Sequence, residues 1–215
     1  MTHTLHREGD RESLSDDFVV LAMAAAGIND HDATNANRAF LDLALEHEAD
    51  EVNMGTMETG SIYQVDFETI REDATDGRIL HAVFADFEGL ESFLLDLAEL
   101  ELGLSVVVTG LFEKTEEVCD RVSDHADADQ LPQPHTARWA AGIKGNTERL
   151  PEAWVREFST MCGHGMISFN LIRDMQEAVA EGRLSAEAAA ERIAQPCVCG
   201  VFNTTRAERL LTART

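Results

Sequence analysis

Three short runs in this chain, residues 18–25, 79–85 and 104–109, are almost continuously apolar. Successive side chains of a strand point to opposite faces, so a strand with one wet face alternates apolar and polar residues. Runs that do not alternate must be covered on both faces. Between them lie helical patterns. One covers residues 34–45 with Phe40, Leu41, Leu43, Ala44 and Leu45; others span 66–74, 87–101 and 113–122. Leu90, Phe93, Leu94, Leu97 and Leu100 fall on one face of the third. Strands alternating with helices predict βαβ units, hence an α/β or α+β fold whose sheet carries covering helices.

The remaining segments divide the chain. Residues 1–17 hold seven charges and two histidines without periodicity, which predicts a disordered acidic tail. Residues 18–145 are the expected α/β domain. The acidic, proline-bearing stretch 123–134 reads as a surface loop, and 136–143 as a further strand. Residues 146–215 are the expected helical C-terminal segment. A helix follows Pro151, a hairpin of two helices covers 166–180 and 185–194, and Thr205-x-x-Glu208 caps a last one.

Charge narrows the function classes. Against 40 Asp and Glu stand 17 Lys and Arg, a net −23, and only Lys114 and Lys144 are lysines. An acidic, lysine-poor surface suits concentrated salt, where the Debye length shrinks to about 3 Å at 1 M and self-repulsion costs little. The expectation is a halophilic protein in the cytoplasm of a salt-accumulating microbe. Nucleic acid is excluded as a partner, since counterion release needs clustered cations. No apolar stretch approaches the length of a membrane span, and the polar N-terminus carries no secretory signal.

The chemistry concentrates in the C-terminal segment. Cys162-Gly163-His164-Gly165 opens the helical hairpin, and Pro196-Cys197-Val198-Cys199-Gly200 closes it. Each cluster sets two soft ligands at i and i+2, on the same side of a turning backbone, with glycine beside them. Three of the four cysteines lie here, and Cys119 stands alone on a helix as a buried small hydrophobe. Asp30, His31 and Asp32 form a second polar group, which turn chemistry explains.

The string from Met161 to Ser168, followed by Pro196-Cys197-Val198-Cys199-Gly200-Val201-Phe202-Asn203, resembles a family of uncharacterised prokaryotic proteins ending in this same cysteine pattern. The resemblance extends back through residues 104–110. It implies that the strand and the cysteine segment belong together, and it implies no activity.

Three chemistries compete for Cys162, His164, Cys197 and Cys199. An iron–sulfur cluster held by thiolates is favoured, with an open iron available for catalysis, because C-x-C departs from the usual zinc knuckle. A structural Cys3His zinc site is the alternative, and thiol–disulfide chemistry the third. Cys162 and His164 are expected just before a helix N-terminus, which would favour the Cys162 thiolate and admit a small-molecule or anionic ligand near Gly165. Ser168, Asn203 and Arg206 are the candidate ligand-binding residues around the site.

Overall fold

A computed structural model describes residues 7–126, 131–135 and 145–215. The strands are β1 (Phe18–Met23), β2 (Asn53–Thr56), β3 (Gly60–Ser61), β4 (Ile79–Phe84), β5 (Ser105–Thr109) and β6 (Gln133–Pro134). The helices are α1 (Arg11–Leu14), α2 (Thr34–Glu46), α3 (Phe67–Asp73), α4 (Phe87–Glu99), α5 (Phe112–His125), α6 (Ala153–Ser159), α7 (Phe169–Ala180), α8 (Ala186–Ala194) and α9 (Thr204–Thr212).

The sheet runs β3-β2-β4-β1-β5-β6. β1 is antiparallel to both β4 and β5, and β4 is antiparallel to β2. β1 and β2 are therefore parallel to each other with β4 between them, joined through α2. β4 and β5 are parallel with β1 between them, joined through α4. These are two interlocked split β-α-β units, the ferredoxin-like arrangement. Alternating strands and helices correctly predict a mixed α/β chain. Simple βαβ units are not what forms, because each crossover leaves one strand's width for a partner of the opposite direction.

Period two then sorts β1 between two cores. Phe18, Val20 and Ala22 pack with Phe40 and Leu41 of α2, Leu90 and Phe93 of α4, and Val118 of α5. Val19 and Leu21 face the other way, with Val83 of β4, and meet Phe158 of α6, Ile172 of α7, Ile193 of α8 and Phe202 beside α9. Burial of each such side chain is worth about 1.5–3 kcal/mol, so an uncovered second face would forfeit a large part of the stability. The expected boundary near residue 145 therefore divides the chain but not the packing, since segments 18–145 and 146–215 share the second core.

Side-chain caps and turns fix several helix starts. Asp66 and Asp86 cap α3 and α4 by accepting from Thr69 and Gly89 N–H. In the group around Asp30, Gly27 N–H donates to Asp30 at 2.9 Å, as a turn residue should. The last helix differs. Its cap is Asn203, which accepts from Arg206 N–H at 2.8 Å, two residues before the expected Thr205.

The N-terminal segment corrects the tail expectation from Arg7 onward. Asp10 caps the short α1, and Arg7 and Asp17 are buried, with side chains 5% and 0% exposed. What makes this stretch look like a tail, its charge, is what binds it to α9. The strand expected over 136–143 lies outside the described residues, as do residues 127–130 of the expected loop. Among the described residues, no helix is long and apolar enough to cross a membrane.

Candidate metal or thiol centre

Both ligand clusters fold into the same local shape. Gly165 N–H donates to Cys162 C=O at 3.1 Å, and Gly200 N–H to Cys197 C=O at 3.4 Å, so each is a four-residue turn. The glycine closing each turn is left-handed, with φ of 66° at Gly165 and 73° at Gly200. Within each turn the ligands occupy the first and third positions, Cys162 and His164 in one, Cys197 and Cys199 in the other. Gly200 has a second reason to lack a side chain: a Cβ there would stand 2.7 Å from the Met54 carbonyl carbon of β2. The second turn lies flat on the sheet for that reason.

Further bonds fix the loop from Gln195 to Thr204 against β2 and the residues after it. Gln64 donates to Gln195 C=O at 2.6 Å, Asn53 to Phe202 C=O at 3.0 Å, and Thr204 to Val52 C=O at 2.5 Å. The Tyr63 hydroxyl lies 3.2 Å from the same carbonyl and 3.0 Å from the Thr204 hydroxyl, and donates its one proton to either. None of these anchors follows from the cysteine motif. Their signal is only that polar Asn53, Tyr63 and Gln64 interrupt apolar and glycine-bearing sequence.

The two turns bring all four predicted ligands into one chain of contacts. Cys197 Sγ lies 3.9 Å from Cys199 Sγ, Cys199 Sγ lies 3.5 Å from His164 Nδ1, and Cys162 is close enough to Cys197 to shift its proton. The three cysteines are buried and His164 is exposed at the rim. Backbone N–H groups point at every sulfur: those of His164 and Met166 at Cys162, and that of Val201 at both Cys197 and Cys199. Such donors stabilise thiolates, whether bare or metal-bound.

The protons order themselves along this chain. Cys162 is held well above an ordinary thiol, first by its hydrogen bond to Cys197 and then by burial. At Cys197 the bond with Cys162 lowers the value, but the bond with Cys199, burial and Cys199's charge outweigh it and push the thiol up to about 11. Cys199 is lowered, first by its hydrogen bond with Cys197, which makes it the most acidic of the three thiols. The helix-dipole expectation for Cys162 is thereby corrected. α7 begins only at Phe169, beyond reach of Cys162, and its N-terminus is capped by Ser168.

Paired ligands at these separations fit one tetrahedral ion. Bonds of about 2.3 Å to sulfur and about 2.1 Å to nitrogen, at tetrahedral angles, put two sulfurs about 3.8 Å apart and sulfur and nitrogen about 3.6 Å apart. The two measured pairs fall on those edges. Yet among the described residues no group of three or more His, Cys, Asp or Glu side chains converges as a complete metal site.

The other candidates are satisfied within the protein. Ser168 Oγ accepts from Leu171 N–H at 3.1 Å. Asn203 caps α9 and donates to Asp17 at 3.1 Å. Arg206, 2% exposed, donates to Asp17 at 2.8 Å, to Glu8 C=O at 2.6 Å and to Ser13 at 2.9 Å. Burial lowers its pKa and Asp17 opposes that. Ser168 also lines a cleft of about 580 Å³ that opens on Cys162, between the end of α6 and the start of α7, with Arg173 on its wall. Cys119 lies on α5 in the opposite core, its thiol pushed up to about 12 by burial and then by Asp120. Compared with family models, with curated proteins and with solved structures, the chain gives no match.

Proposed function

We propose that this is a metal-binding protein in which Cys162, His164, Cys197 and Cys199 hold a single tetrahedral ion, zinc in the first instance. The observation that carries the reading is the pair of matched turns, with a sulfur–sulfur distance of 3.9 Å and a sulfur–nitrogen distance of 3.5 Å between their ligands. The protein's part in binding is to release the thiol protons and let the row of side chains close. The N–H donors from His164, Met166 and Val201 then serve three thiolates. An ion held there staples the α7–α8 hairpin shut at its base, and its binding energy is folding energy.

Of the two metal chemistries, the close spacing favours one ion over an iron–sulfur cluster, whose thiolates on different irons stand farther apart. Thiol–disulfide chemistry is a second reading, supported by the contact between thiols and by the lowered Cys199 thiol. The cleft beside Cys162 has the size of a small-molecule site, with Arg173, paired to Glu152 at 2.6 Å, on its wall. All four cysteines are unpaired, which together with the acidic surface suits a reducing, salt-rich cytoplasm.

Metal and acid-labile sulfide analysis of protein purified without oxygen tests the reading. The expected result is a colourless protein with one zinc per chain. A brown protein containing sulfide would establish the cluster instead. Metal-free protein that takes up neither zinc nor iron would leave the thiol reading.

A further inference from the structure

Arg7 is nearly buried and sits between two partners that belong to different ends of the chain. Its Nη1 donates to both oxygens of Asp17, at 2.8 and 3.0 Å, and its Nη2 donates to the carbonyl of Val201. Val201 is the residue whose N–H points at Cys197 and Cys199. Asp17 in turn is held from the other side by Arg206 and Asn203 of the α9 cap. A guanidinium is a rigid planar fork, so fixing one of its nitrogens on Asp17 fixes where the other can meet a carbonyl. The N-terminal segment thus reaches the ligand loop directly, beside the bond that Asn53 of β2 makes to Phe202 C=O.

We propose that Arg7, aligned by Asp17, is a positioning residue for the Cys/His centre: it pins Val201 so that the N–H of that residue stays on both sulfurs of the C-x-C turn. The inference rests on the metal reading for its consequence, not for its geometry. Outer partners of metal ligands are where orientation is set, and losing one weakens binding without removing a ligand. A lysine cannot replace this arginine, because a single ammonium cannot span Asp17 and Val201 in fixed directions. Arg209 supplies the control. It also ties α9 to the N-terminal segment, donating to Asp16 at 2.7 Å, and its other hydrogen bond among the described residues goes to Ala85 C=O at 3.3 Å.

The test compares Arg7→Met, Arg7→Lys and Arg209→Met in the full chain, with Arg7→Lys carrying it if Arg7→Met does not fold. Zinc affinity is measured by competition with a chromophoric chelator, and the unfolding midpoint is recorded without metal. The Arg7 variants should bind zinc about 10–100-fold more weakly. Their metal-free midpoints should fall further than that of Arg209→Met, whose ion pair is exposed, so affinity is compared per folded chain. Native affinity in the Arg7 variants, or an equal loss in Arg209→Met, overturns the proposal. If the native protein takes up no zinc, the metal reading fails and a second measurement decides the positioning role. Iodoacetamide should then alkylate Cys197 and Cys199 faster in the Arg7 variants than in the native chain or Arg209→Met, and equal rates would overturn it.

Discussion

The two faces of the sheet are both dry, but they are built differently. The first is covered by α2, α4 and α5, helices that lie between or just after the strands they cover, and its core is mainly apolar, with buried Asn37 and Thr115 on the helices. The second is covered by α6 to α9, which come after the strands, and it holds the three clustered cysteines. At the edge of that second face lie buried Asp17, Asn53, Asn203 and Arg206. A face covered by its own crossover helices needs only complementary side chains. A face covered by a distant segment needs docking bonds, and those bonds come from β2, from the segment after it and from the N-terminal segment. The chemistry of the molecule sits where its covering is least local.

Breaking the first face should separate stability from metal. Phe93 packs edge-on against Phe40 at 5.6 Å between ring centroids and lies 4.8 Å from the ring of Phe84. Phe93→Ala should cost about 3–5 kcal/mol of unfolding free energy, measured by urea denaturation. Bound metal per folded chain should stay unchanged, and a loss of metal in folded Phe93→Ala would show that the two faces are not independent.

Gly200→Ala cuts the other way. The new Cβ meets the Met54 and Gly55 backbone at a φ of 73°, so either the turn or β2 must move. The expected cost is about 1–3 kcal/mol, with metal affinity falling disproportionately because the displaced residues are the ligand turn. Gly165→Ala is the sharper comparison. A Cβ added at that position would have no neighbour within 4 Å, so strain alone should operate there and the effect should be smaller.

The asymmetry also explains what could be read from the sequence. Continuous apolar runs demand two covering layers, and the helical spacing of residues such as Leu90, Phe93 and Leu94 supplies one of them directly. The four candidate ligands are legible because soft side chains at i and i+2 beside glycine have few other uses. Strand direction is not legible, since a split unit and a simple one share the same order of elements. Nor is the role of Asp17 and Arg7. A charged segment without periodicity looks solvated unless its counter-charges are known, and those lie about 190 residues away at Arg206. Asn53 and Tyr63 are hidden for the same reason, as their partners are backbone atoms of a distant loop.

The central claim is that the matched turns hold one ion, and native mass spectrometry of the zinc-loaded chain tests it most directly. The account predicts the mass of one zinc in the native protein and in Cys119→Ser, whose thiol lies on the first face, and its loss in Cys162→Ser and Cys199→Ser. Retention of zinc by both of those variants, or no zinc in the native chain, would contradict it.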